Sequence, residues 1–177
     1  MSIWQVFRRD YNPKKAQKEI EVSNCLTSVA FHPTDPLLLA GGTLNGEIYL
    51  WNIDKEEPLV CKSDVDEYYH RESIQSLIWV RQQSMTTLVV NTSLVSCSTD
   101  GKILVWRVED KLRYPVKGHL LARRKGDEMQ VIGGTSLDKV SVMEDNTFIV
   151  GTEGGALFRC NIGQPSDSDI THLLQAN

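Results

Sequence analysis

The chain has 177 residues, 41% of them hydrophobic and 24% charged, the composition of an ordinary globular domain with room for a sizeable core. A formal net charge of −4 supplies no overall attraction for nucleic acid or for an anionic membrane surface. Cys25, Cys61, Cys97 and Cys160 are too scattered for a zinc site, and no apolar run is long enough for a membrane span or a signal-peptide core, so a cytoplasmic protein in a reducing compartment is expected.

Ile3 to Phe7 reads as the end of a strand carrying Trp4, with Glu19 to Val22 as its outer neighbour. Leu26 to Phe31, closed by His32-Pro33, opens a full unit. Its second strand, Leu37 to Gly41, runs into Ala40-Gly41-Gly42, small residues that suit close backbone approach. Asn45-Gly46 is a pair that accepts positive φ in a two-residue hairpin, and Glu47 to Ile53 follows as a third strand, with Leu59 to Lys62 a candidate fourth. After a polar connection, Asp64 to Arg71, the order returns: Ile74 to Val80, a long loop over Arg81 to Asn91, then Leu94 to Ser98. The turn Asp100-Gly101, the strand Lys102 to Val108, a polar connection over Glu109 to Lys117 and a fourth strand over Gly118 to Arg123 complete that unit. A third round takes Thr135 to Ser141, broken by Asp138-Lys139, then Thr147 to Thr152, the turn Gly154-Gly155 and Ala156 to Ile162. Ile170 to Leu174 offers a partial outer strand, and both ends are expected to fall inside a unit.

The three turn glycines, Gly46, Gly101 and Gly155, lie 55 and 54 positions apart, and five residues after each comes the same slot, filled by Trp51, Trp106 and Cys160. This is an internal repeat, longer than the ~40–45 residues usual for four-stranded blades because of the inserted loops. The third strands of the first two units are apolar on both faces, with Ile48 and Leu50 pointing one way and Tyr49 and Trp51 the other. A sheet with one wet face would alternate, whereas a sheet sandwiched between neighbours is buried on both sides. A parallel sheet would need helical crossovers, for which there is no pattern. Trp51, Trp106, Trp79 and Phe31 are therefore expected in the core.

The glycine turn with its tryptophan slot, Trp51-Asn52 and Trp106-Arg107 standing where Trp-Asp is usual, resembles the WD-repeat β-propeller. Gly118-His119 resembles the glycine-histidine pair that opens many such repeats. The stretches Cys25 to Thr34, Ala40-Gly41-Gly42, Asn45 to Trp51, Thr99 to Trp106 and Gly151-Thr152-Glu153-Gly154-Gly155 are similar to successive blades of the dynein intermediate chains. The fold expected is all-β, a partial WD-repeat β-propeller of about three blades plus a remnant: 1–23 the end of a preceding blade, 24–63 a blade, 64–125 a blade with long loops, and 126–177 an incomplete blade and tail. The resemblance implies a non-catalytic dynein subunit, a scaffold that binds the heavy-chain tail and other dynein subunits, supports retrograde intraflagellar transport and cilium assembly, and localises to cytoplasm, cilium or axoneme, and cytoskeleton. The family's light-chain-binding N-terminal segment is absent from this sequence, so light-chain binding is not expected of it. A WD-repeat adaptor of another complex, such as a ubiquitin-ligase substrate receptor or an RNA-processing scaffold, is the alternative.

No catalytic, cofactor-binding or metal residue is singled out. His32, His70, His119 and His172 are dispersed, without metal-ligand spacing, and no Ser/His/Asp or Cys/His set has a recognisable context. Arg8-Arg9, Lys14-Lys15 and Arg123-Arg124-Lys125 lack interleaved aromatic residues and read as solvated loops, with no nucleic-acid binding and no membrane insertion expected. The acidic, tyrosine-bearing segment Asp64 to Glu72 reads as an inter-blade loop, and as the first place to seek a protein contact.

Overall fold

Three glycines with φ of 86°, 79° and 75°, Gly46, Gly101 and Gly155, set the architecture, because each lets the chain reverse and return as an antiparallel strand. Each closes a three-residue loop rather than the two-residue hairpin expected: the Gly46 N–H donates to the Thr43 carbonyl, Gly101 to Ser98 and Gly155 to Thr152, at 2.9–3.2 Å. Asn45, Asp100 and Gly154 keep negative φ, so each loop is a turn followed by one left-handed glycine.

The computed structural model describes residues 1–6, 9–64, 68–83, 90–139 and 147–162, and its regular elements there are all strands. The N-terminal pair is β1 (Ser2–Ile3) with β2 (Lys18–Glu19). The first full sheet is β3 (Leu26–Phe31), β4 (Leu38–Thr43), β5 (Ile48–Asn52) and β6 (Leu59–Lys62), an antiparallel meander in chain order. The second is β7 (Ile74–Gln83), β8 (Val90–Ser98), β9 (Lys102–Arg107) and β10 (Lys117–Leu120). A separate hairpin follows, β11 (Ala122–Lys125) and β12 (Glu128–Val131). The third sheet is β13 (Gly134–Lys139), β14 (Thr147–Thr152) and β15 (Leu157–Asn161).

The sheets stack face to face. Ile48 and Leu50 pack with Leu77, Trp79, Leu94, Leu104 and Trp106 between the first two sheets. Ile103 and Val105, on the other face of β9, pack with Leu137, Phe148, Val150 and Phe158 of the third. Tyr49 and Trp51 lie against Met1, Ile3, Ile20 and Val22. The two-sided burial read from β5 and β9 is thus the packing of a sheet between two neighbours. The small residues are required by these contacts: a Cβ on Gly41 would sit 2.5 Å from the Trp51 ring, and one on Gly42 would overlap Ile74 of the next sheet.

Some expectations are corrected. Phe31 is 52% exposed, together with Val29, because the N-terminal pair covers only the outer half of that sheet face. Its positional equivalent Trp79 is buried and donates its indole N–H to the Ala30 carbonyl at 3.0 Å, since the first sheet covers it. Trp4 is exposed, unlike Trp51 and Trp106. The long loop expected from Arg81 is shorter, because Arg81, Gln82 and Gln83 continue the ladder opposite Thr92, Asn91 and Val90. The fourth strand of the second sheet ends at Leu120, and Ala122 to Lys125 turns away into the hairpin. The outer strand expected over Ile170 to Leu174 lies outside the described residues.

Candidate functional site

The second sheet buries a continuous chain of polar side chains. The Trp106 indole N–H donates to Ser96 Oγ at 2.8 Å, and Ser96 Oγ lies 2.7 Å from His70 Nε2. On its other side His70 Nδ1 lies 3.2 Å from Asp100 Oδ1. Asp100 also accepts the backbone N–H of Arg71 at 3.0 Å and of Lys102 at 2.9 Å. The four residues meet because β8 and β9 place Ser96 and Trp106 on one face, the turn after β8 supplies Asp100, and the connection into β7 drops His70, 26 residues before Ser96, between them.

A Ser–His–Asp relay in this order is the geometry of an activated nucleophile, so its surroundings decide what it does. Ser96 and His70 have no solvent exposure. Ser96 Oγ is occupied by the indole and lies 3.3 Å from the Leu104 carbonyl, which leaves no room for a substrate carbonyl. Burial pushes the His70 pKa down, against the hydrogen bond and charge of Asp100, so the ring is neutral. Its Nδ1–H then donates to Asp100, and its Nε2 accepts the Ser96 hydroxyl proton. Burial acts to raise the Asp100 pKa, but the hydrogen bond from His70 and the backbone N–H groups of Lys102 and Arg71 hold it lowered overall. The relay is a structural brace that ties the connecting loop, the turn and two strands together.

His70 is one of four histidines dispersed along the chain, and the glycine-histidine pair stands at 118–119. That pair lies within β10, the outer strand of the second sheet, with His119 opposite Ile103. Burial lowers the His119 pKa to about 4, and Nε2 has no hydrogen-bond partner among the described residues. The usable signal was the spacing from the turn: Ser96 and Asp100 precede Trp106 by ten and six residues, and His70 stands four before the first strand of the same sheet. The first sheet has Gly41 and Asn45 in the corresponding places, and carries a different cluster, with Tyr49 OH 3.1 Å from Ser23 Oγ and Lys62 Nζ 3.2 Å from Glu47.

The remaining sequence candidates are dispersed. His32 caps its turn, Nδ1 accepting the Asp35 N–H at 3.0 Å, with its ring edge-on to Trp79. In the segment Asp64 to Glu72, residues 65–67 lie outside the described residues. Tyr69 is buried and donates its hydroxyl to the Arg113 carbonyl, while Glu72 accepts from Thr99 and Ser98, so much of the segment is pinned; Tyr68 is exposed. Arg8 and His172 lie outside the described residues. Among the described residues no group of histidine, cysteine and carboxylate side chains is placed to hold a metal ion, and no helix is long and apolar enough to cross a membrane.

Comparison with known proteins fits this geometry. The profile of the family WD domain, G-beta repeat, matches residues 16–52. The crystal structure of the Myceliophteria thermophila Cps50 (Swd1) beta-propeller domain superposes with a TM-score of 0.57 at 16% identity, over 82% of this chain and 38% of that one. The fold is that of stacked β-propeller blades, and residues 16–52 match the WD repeat. Over nearly its whole length it is similar to dynein intermediate chains. It is 28% identical to cytoplasmic dynein 2 intermediate chain 2 of Mus musculus over 171 residues, 90% of this chain and 31% of that protein. Against dynein axonemal intermediate chain 2 of Homo sapiens it is 30% identical over 151 residues, 85% of this chain and 24% of that protein. The chain spans under a third of the length of the curated relatives it matches.

Proposed function

We propose that this chain is a non-catalytic intermediate-chain subunit of a dynein motor complex, a scaffold that binds the heavy-chain tail and supports retrograde intraflagellar transport and cilium assembly. The observation that carries the reading is similarity to dynein intermediate chains across 90% of the chain. The stacked sheets support it physically. Blades with buried faces hold their loops rigidly, so a large partner surface can be engaged with little ordering cost. The seal around Ser96 and His70 fits a binding role rather than chemistry. In this reading 24–63, 64–125 and 126–177 are successive blade units, and the protein resides in cytoplasm, cilium or axoneme, and cytoskeleton.

Affinity purification of the endogenous protein from ciliated cells, with mass spectrometry of everything bound, tests the proposal. Recovery of a dynein heavy chain with its accompanying subunits is expected. Purified motor that contains the heavy chain but lacks this protein would refute it, and recovery of ubiquitin-ligase or RNA–protein components would give the function to an adaptor instead.

A further inference from the structure

A groove of about 500 Å3 opens on the Trp51 face of the first sheet. One wall is the end of β2 and its continuation, residues 19–23, and the other is the connection from β5 into β6, residues 56–59. The walls are held in place by the fold itself. Ile20 is 4% exposed and packs with Leu39, Tyr49 and Trp51, and Ser23 Oγ lies 3.1 Å from Tyr49 OH. Lys18 Nζ donates to the Lys55 carbonyl at 2.6 Å and so ties one wall to the other.

The groove joins an apolar floor to acidic walls. Tyr49 and Trp51, their rings stacked at 5.5 Å, form the floor, and Leu59, opposite Trp51 in the ladder, stands 51% exposed at the rim. Glu19, Glu21, Glu56 and Glu57 line the walls, all four exposed, and none is paired with a cation among the described residues. No lysine or arginine lines the groove among the described residues. Lys62, with Nζ 5.9 Å from the Tyr49 ring, is held by Glu47 at 3.2 Å. Charge of one sign beside a low-dielectric floor focuses its field into the cleft. The four carboxylates do not converge, because no group of acidic side chains among the described residues is placed to hold a metal ion. A matching ligand therefore carries its positive charge at several separate points.

The spacing of the carboxylates says what kind of ligand that is. Burial alternates from Glu19 to Ser23, with Ile20 and Val22 turned toward the sheet and Glu19 and Glu21 away from it. Alternate residues of an extended segment stand about 7 Å apart, the repeat of another extended chain laid beside it. We propose that this groove binds an extended basic segment of a partner protein, in which lysine or arginine alternates with apolar residues. Its cations face outward against Glu19 and Glu21 on one wall and Glu56 and Glu57 on the other, while its apolar side chains turn down onto Leu59 and Val22. The apolar part of the site favours such a segment over a polyamine, and the carboxylates repel nucleic acid and anionic headgroups. Walls already fixed by Ile20, Ser23 and Lys18 keep the ordering cost of binding low. This inference does not rest on the motor-subunit reading.

The test uses the full chain with fluorescein-labelled decapeptides alternating lysine with valine, lysine with serine, and glutamate with valine. Anisotropy is expected to show the lysine–valine peptide bound, more weakly as salt is raised, the lysine–serine peptide bound at least about fivefold more weakly, and the glutamate–valine peptide not bound. E19Q/E21Q/E56Q/E57Q should weaken lysine–valine binding by about tenfold or more, with the melting curve unchanged because all four side chains are exposed. D127N/E128Q, two exposed acids on the β11–β12 hairpin, should leave binding as it is. Absence of binding, equal binding of the lysine–serine peptide, binding unaffected by the fourfold change, or an equal loss in D127N/E128Q would each overturn the proposal. So would self-association in sedimentation that the fourfold change abolishes, because the groove would then belong to a second copy of the chain.

Discussion

Replacing Ser96 with alanine removes one oxygen and almost no volume, yet the relay makes it an expensive substitution. Ser96 Oγ is the partner of the Trp106 indole N–H at 2.8 Å and of His70 Nε2 at 2.7 Å, in a site without solvent exposure. Each buried polar group left unpaired costs roughly 1–3 kcal/mol, and relief of the hydroxyl's own desolvation offsets a part, so the net loss is about 2–4 kcal/mol. That is a large share of the ~5–15 kcal/mol that separates folded from unfolded domains. For a chain of this size it lowers Tm by roughly 5–15 °C at ~2–4 °C per kcal/mol. Urea unfolding followed by tryptophan fluorescence measures it, with the midpoint falling and the slope unchanged. Trp106→Phe removes the donor instead, so S96A/W106F should lose less than the sum of the single changes, the signature of residues that share one network. A Ser96→Ala loss under about 0.5 kcal/mol, or strict additivity of the pair, would refute the brace, because neither fits two buried groups losing one partner.

Acidification acts on the same region. His70 and His119 are both held below the usual histidine pKa by burial, so the unfolded chain takes up protons before the folded one; stability present above pH ~6.5 is lost as pH falls toward about 4, the value of His119. His119→Leu should flatten that decline in urea titrations taken across the window. Gly101→Ala and Gly155→Ala share a positive φ, but a Cβ on Gly101 would overlap Val131 whereas one on Gly155 meets nothing within 4 Å. Gly155→Ala should therefore cost about 1–2 kcal/mol for conformation alone, and Gly101→Ala clearly more, by the same unfolding assay. Burial pushes the Cys97 and Cys160 thiols up to about 12 and about 11, whereas Cys25 is exposed; mass-resolved alkylation of the native chain should modify Cys25 first and reach Cys97 only on unfolding.

Much of the blade plan was legible in sequence because its signals are local. The period from Gly46 to Gly101 to Gly155, the apolar residues on both faces of β5 and β9, and the small residues ending β4 and β8 each report a constraint within a few positions. Leu26–Phe31, Leu59–Lys62 and Thr147–Thr152 are strands with the bounds their patterns indicate. The turn class was not legible, since Asn-Gly and Asp-Gly serve both a two-residue hairpin and a three-residue loop, and only the bond from Gly46 N–H to Thr43 distinguishes them.

Sequence by itself determined a repeated, double-sided β unit and hence stacking, because residues that are apolar on both faces of a strand need a neighbour on each. Tertiary structure alone decided which apolar residues find cover. Phe31 and Trp79 hold the same place in their strands, but only Trp79 has a sheet across from it. It alone also brought His70 against Ser96 and Asp100; the ten- and six-residue spacings of Ser96 and Asp100 from Trp106 are local, but the same spacings in the first sheet hold Gly41 and Asn45. Hydrogen bonds between side chains from a connection, two strands and a turn depend on distances set by packing, and packing is not written in local spacing.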